Sequence, residues 1–90
     1  MSIHVVARLV ARPEAVAAAK EALAGLLAPT RREAGCIRYE LFQNREDPTD
    51  FTFTEEWADD ASLDAHLESA HLAAVRARAE ELFAAAPDIR

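Results

Sequence analysis

The chain is poor in the devices that usually stiffen small domains. Its one cysteine, Cys36, has no partner, so no disulfide can form within it. Cys36 also lacks a second thiol nearby, and the three histidines are scattered, so the pattern carries no structural zinc site. Only two glycines occur, which leaves little room for a loop that cradles phosphate. There is no Walker sequence, no HExxH and no Ser/His/Asp order. No run of ~18 apolar residues is present, so no membrane span is expected. Residues 3–9 lack the basic start and small-residue cleavage site of a signal peptide. Positive charge is in the minority, at 10 Lys and Arg against 16 Asp and Glu. The net charge of -6 disfavours a nucleic-acid partner. These exclusions leave a cytoplasmic protein with no metal and no cofactor as the expectation.

What is present is enough apolar material to fold: 51% of the 90 residues are hydrophobic, many of them alanine. That length fits one domain over residues 1–90. A domain of this size buries only ~60–65% of its unfolded-chain surface, so its core alone is marginal. With disulfide and metal excluded, a partner subunit is the expected source of extra burial.

Residues 3–11 are rich in Val and Ile and read as a strand. Pro13 fits the first turn of a helix. From there to about Arg32, the positions Val16, Ala19, Leu23, Leu26, Leu27 and Thr30 recur at helical spacing. Pro29 should kink or end that helix near Ala28, and Gly35 supplies a stop. Residues 36–45 and 51–58 read as strands joined by the turn residues 46–50, an antiparallel hairpin. Asp59 or Asp60 can cap a short helix carrying Leu63, His66 and Leu67 on one face. Ser69 can cap a second, over roughly residues 70–85, which Pro87 ends. The order β-α-β-β-α(α)-(β) predicts an α+β, ferredoxin-like βαββαβ fold whose fourth strand is short or absent.

Strand parity gives the sheet two different faces. Ile3, Val5, Leu9, Ile37, Tyr39, Leu41, Phe51, Phe53 and Trp57 should meet the helices. Val6, Val10 and Phe42 lie on the other side among Arg8, Arg38, Glu40, Thr52, Thr54 and Glu56. That mixture predicts a sheet-to-sheet interface in a homodimer, with Arg8 and Arg38 able to pair with Glu40 or Glu56 within or across subunits. An exposed antiparallel face is the plainer alternative.

Three segments carry a resemblance. They are Gly35-Cys36-Ile37-Arg38-Tyr39-Glu40-Leu41, Phe51-Thr52-Phe53-Thr54-Glu55-Glu56-Trp57, and Ala65-His66-Leu67-Glu68-Ser69-Ala70-His71. Together they resemble the antibiotic biosynthesis monooxygenase domain family, most closely its small quinol monooxygenase branch. The likeness runs from about Ile3 to Phe83, and its most specific part is Glu-x-Trp followed by His-x4-His. It implies a dimeric α+β barrel with a pocket between sheet and helices. It also implies oxidation of a small electron-rich aromatic substrate by O2, without flavin or metal. Trp57, His66 and His71 match the family's recurrent Trp and His positions. Haem-degrading relatives carry an Asn on the first strand where this chain has Ala7, which speaks against that activity.

On the residues themselves, His66 shares an apolar helix face and should look inward, where an imidazole can take a phenolic proton. His71 can orient a substrate oxygen. Trp57 and Phe53 offer flat surface for an aromatic ring, and Tyr39 a phenol. Glu55 faces the helices and needs a partner, either histidine or Arg76 or Arg78. The bland readings are a core histidine, a capping histidine and core aromatics. His4 reads as structural, and Cys36 as a packing residue. Two other functions remain open: a dimeric small-molecule-binding or stress-response protein without turnover, and an isomerase of a small oxygenated metabolite.

Overall fold

The computed structural model describes residues 1–85 and the backbone of residues 88 and 89. The chain runs β1 (Ile3–Val10), a 3-10 turn (Pro13–Ala15), α1 (Val16–Ala24), α2 (Leu27–Arg31), β2 (Cys36–Gln43) and β3 (Asp50–Trp57). It continues with α3 (Asp60–Leu67), α4 (Ala70–Arg76), α5 (Ala79–Leu82) and a two-residue β4 (Asp88–Ile89). The strands form one sheet in the order β2-β3-β1-β4, every neighbouring pair antiparallel. This is the α+β, ferredoxin-like arrangement expected, with the fourth strand present but short. Among the described residues, no helix is long and apolar enough to cross a membrane.

The core lies between the sheet and the helices. On β3 every second residue is buried, namely Phe51, Phe53, Glu55 and Trp57. Val5, Ala7 and Leu9 of β1 lie beside them, and Ala19, Leu23 and Leu26 close the layer from the helix side. Asp59 caps α3 by accepting from the Ser62 amide at 2.8 Å, and Ser69 caps α4 from Leu72 at 3.4 Å.

Four expectations need correction. The first helix breaks at Gly25 and Leu26 rather than near Ala28, and Pro29 sits inside the first turn of α2. The reason is the missing Pro29 N–H: its partner four residues back would be the Gly25 carbonyl, so the ladder opens there. The helix expected over residues 70–85 is two short helices, and Phe83 is extended and bridges Ala11. The Arg12 amide donates to Leu82 O and the Ala84 amide to Val10 O, both at 2.8 Å, so the chain leaves α5 alongside the end of β1. Pro87, the expected terminator, lies outside the described residues.

Third, Ile37 does not face the helices. Cys36 pairs with Trp57 and Arg38 with Glu56, so Ile37 is the extra residue of a β-bulge and is 56% exposed. Fourth, within the chain Arg8 pairs with Asp50 at 2.8 Å where Glu40 or Glu56 was expected, which leaves pairing across subunits to the dimer reading. Glu56 instead accepts from Ser2 Oγ at 2.7 Å and lies 3.7 Å from His4. In the single chain the sheet face away from the helices is open, with Val6 45% and Phe42 51% exposed.

Candidate active site

Three separate pieces of local structure bring the polar groups together. Gly35 takes a left-handed backbone angle (φ 81°) between α2 and β2, a conformation that costs glycine nothing. Its carbonyl accepts from the Ala58 amide at 2.8 Å, which ties this turn, two residues after Glu33, to the end of β3. His66 lies in the last turn of α3, and His71 is the second residue of α4. On one continuous helix, positions five apart would point roughly 140° away from each other. The break between α3 and α4, closed by the Ser69 amide donating to His66 O at 3.0 Å, lets both rings turn to one spot.

That spot is Glu33. Its Oε2 lies 2.9 Å from His66 Nδ1 and 2.7 Å from His71 Nε2. A carboxylate only accepts, so both imidazoles donate to it. In the neutral imidazole this leaves the lone pair of His66 on Nε2 and that of His71 on Nδ1. Side-chain exposure climbs along the chain of contacts: 3% at His66, 17% at Glu33 and 24% at His71. Sequence reasoning missed Glu33. It sits in the connection Arg31-Arg32-Glu33-Ala34-Gly35, where no periodicity marks it; its only cue is its place two residues before Gly35.

Aromatic rings hold His66 in place. Trp57 stacks on it with centroids 4.7 Å apart and planes at 30°, and Tyr39 meets it edge-on at 5.4 Å. Tyr39 itself stacks on Phe53 at 4.8 Å. Burial, with the Glu55 carboxylate second, pushes the Tyr39 phenol well above its ordinary range, so it is a hydrogen-bond donor at neutral pH. The Thr30 hydroxyl opposes that shift from nearby. No hydrogen bond of ordinary geometry joins the two, and Thr30 Oγ1 is a buried atom with no partner among the described residues.

Glu55 does not pair with a histidine or an arginine as expected. Its Oε1 accepts from the Trp57 indole N–H at 2.9 Å. The two residues share a face of β3 two positions apart, within indole reach. Burial raises the Glu55 pKa, and the indole hydrogen bond and His66 partly oppose this. The Cys36 thiol is also raised, by burial and then by Glu33 and Glu55, which disfavours the reactive thiolate.

A cavity of about 530 Å³ opens between the sheet and α1, α3 and α4. His66, Tyr39, Phe53 and Glu55 line it among apolar side chains such as Leu26, Leu63 and Val75. Trp57 and His71 do not reach it; they stand behind His66, one stacked on its ring and the other joined through Glu33.

Residues 2–78 match the family described as antibiotic biosynthesis monooxygenase. The chain belongs to that family. It is 34% identical over 81 residues to "Putative monooxygenase Rv0793" of Mycobacterium tuberculosis, covering 90% of this chain and 79% of that protein. It is 33% identical over 64 residues to "Putative monooxygenase YcnE" of Bacillus subtilis, covering 71% of this chain and 67% of the relative. The crystal structure of PA3566 from Pseudomonas aeruginosa superposes with a TM-score of 0.92 at 34% identity, covering 97% of this chain and 87% of the other. The family and the names of these relatives support a monooxygenase-like function.

Proposed function

We propose that this protein is a cofactor-independent monooxygenase acting with O2 on a small electron-rich aromatic substrate, a quinol or polyphenol of one or two rings or an anthrone. The observation that carries the reading is His66. It is a buried imidazole lining an apolar cavity, its Nδ1–H fixed by Glu33 and its ring clamped by Trp57. That arrangement leaves Nε2 free to take an acidic substrate proton. The deprotonated ring is a far better one-electron donor to O2, which is the step a reaction without flavin or metal must promote. For an anthrone-type CH2, one oxygen atom becomes the new carbonyl. The other leaves as water with the two hydrogens of that carbon.

The other side chains have supporting roles in this reading. Phe53 and Tyr39 supply ring surface, and the Tyr39 phenol can donate to a substrate oxygen. Glu55 holds the indole of Trp57. Glu33 holds the His66 Nδ1–H and stabilises the imidazolium that forms when Nε2 takes the proton, and His71, donating to the same oxygen, fixes that carboxylate in place. The working unit is a homodimer formed through the open sheet face, supported by the exposed Val6 and Phe42 among charged and threonine side chains. The unpaired Cys36 suits the reducing cytoplasm as its location.

Oxygen uptake with a panel of hydroquinones, naphthohydroquinones and anthrones tests the reading. Wild type should consume O2 with at least one of them, and His66→Ala should lose about 10²–10⁴-fold in rate. No uptake across the panel, or unchanged uptake in His66→Ala, would reject it in favour of the isomerase or the binding protein.

A further inference from the structure

We propose that Glu33, His66 and His71 form a three-ligand site for a divalent transition-metal ion. The three donor atoms, His66 Nδ1, His71 Nε2 and Glu33 Oε2, all lie within 4.8 Å of one another. The two nitrogen–oxygen separations are 2.9 and 2.7 Å. Bonds of about 2.0–2.1 Å to a common ion set neighbouring ligands roughly 2.9–3.3 Å apart. Two edges of the coordination polyhedron are therefore nearly in place. The third edge, between the two imidazole nitrogens, is at most 4.8 Å here and must close as His71, the most exposed of the three side chains, turns toward the ion.

Two imidazoles and one carboxylate suit zinc, cobalt, nickel or ferrous ions, whereas calcium and magnesium prefer all-oxygen sites. The donors come from three different pieces of chain: the turn before β2, the end of α3 and the start of α4. Their convergence is a product of the fold and not of helical spacing. The stacked Trp57 fixes the plane of the His66 ligand, as outer groups do at metal sites. The net charge of -6 favours an incoming cation. Three protein ligands leave at least one position for water or another small ligand.

Binding releases no net proton from two neutral imidazoles. The ion takes the place of the two shared hydrogens, so the His66 proton moves from Nδ1 to Nε2 and the His71 proton from Nε2 to Nδ1. This has a regulatory consequence that rests on the oxygenase reading: the nitrogen assigned there as base becomes an N–H, and the loaded protein is the resting form.

The test uses the full chain after dialysis against chelator. Co2+ is titrated by visible absorption and Zn2+ by calorimetry, with no aromatic substrate present. The expected result is one ion per chain, bound in the micromolar range or tighter, with Glu33→Gln and His71→Ala each weakening it at least tenfold. Glu33→Gln is nearly isosteric, and His71 is partly exposed, so both variants should fold. His4→Ala should bind as wild type does; it removes the other histidine–carboxylate pair, His4 with Glu56. Saturation absent below millimolar ion, equal affinity in both site variants, or loss of binding in His4→Ala would overturn the proposal. Because no substrate is used, failure here and failure of the oxygenase reading are separate results.

Discussion

Two carboxylates sit within reach of the same aromatic cluster, and they do different work. Glu33 is shared by two imidazoles, and Glu55 is held by an indole. The difference has a pH signature. Burial raises the Glu55 pKa in the folded state, so folding favours its protonated form. Stability from this group is fully present below the unfolded pKa and is lost as pH rises through the folded one. Glu55→Gln keeps an oxygen for the Trp57 indole and removes that titration. The melting temperature of Glu55→Gln minus that of wild type should therefore climb with pH across the carboxylate range and then level off. Thermal melts at stepped pH check it, and a difference that falls with pH would contradict it. Asp50 and Asp59 titrate the opposite way, since Arg8 with Asn44 and Ser62 lower their pKa values. They are common to both proteins and cancel in the difference.

Among the elements, the short connections govern the site more than the long strands do. Gly35 is the clearest case. A Cβ there would collide with the Ser62 side chain at the start of α3, and the backbone angle is one that other residues resist. Gly35→Ala should cost roughly 2–4 kcal/mol of stability, combining backbone strain with overpacking. Urea denaturation measures it; a change under ~0.5 kcal/mol would show that α3 shifts freely against the turn. The same contact separates Glu33 from its histidines by only a turn and a cap, so displacement of α3 would also loosen the cluster. The bulge at Ile37 acts in the other direction. It restores Tyr39 to the buried face after Cys36, at the cost of exposing an isoleucine.

At the scale of the molecule, the sheet has one face under helices and one open. On the open face Val6 lies across from Thr54, which faces Glu40, and Arg8 across from Thr52, which faces Phe42. The dimer reading predicts that wild type sediments as a dimer at micromolar concentration and that Phe42→Glu sediments as a monomer. Because Phe42 is half exposed in the single chain, the variant should keep its far-ultraviolet circular dichroism. A wild-type monomer, or a Phe42→Glu variant that stays dimeric, would rule out this face as the interface.

The element order, the two-faced sheet, the caps at Asp59 and Ser69 and the inward position of His66 were all legible in the sequence, because each depends on local periodicity or on a side chain reaching its own neighbours. The fourth strand, expected to be short or absent, is the two-residue Asp88–Ile89. What could not be read were the features set by distant partners. The bulge at Ile37 appears only when β2 is registered against β3. The break at Gly25 and the early end at Phe83 depend on which backbone groups find acceptors elsewhere. Above all, the residue that joins His66 to His71 is Glu33, more than thirty positions upstream of both. Strand parity correctly put Glu55 on the helix side, but parity gives a face and not a partner. The choice between two glutamates was made by the left-handed turn at Gly35 and the break between α3 and α4, which only the packed chain brings together.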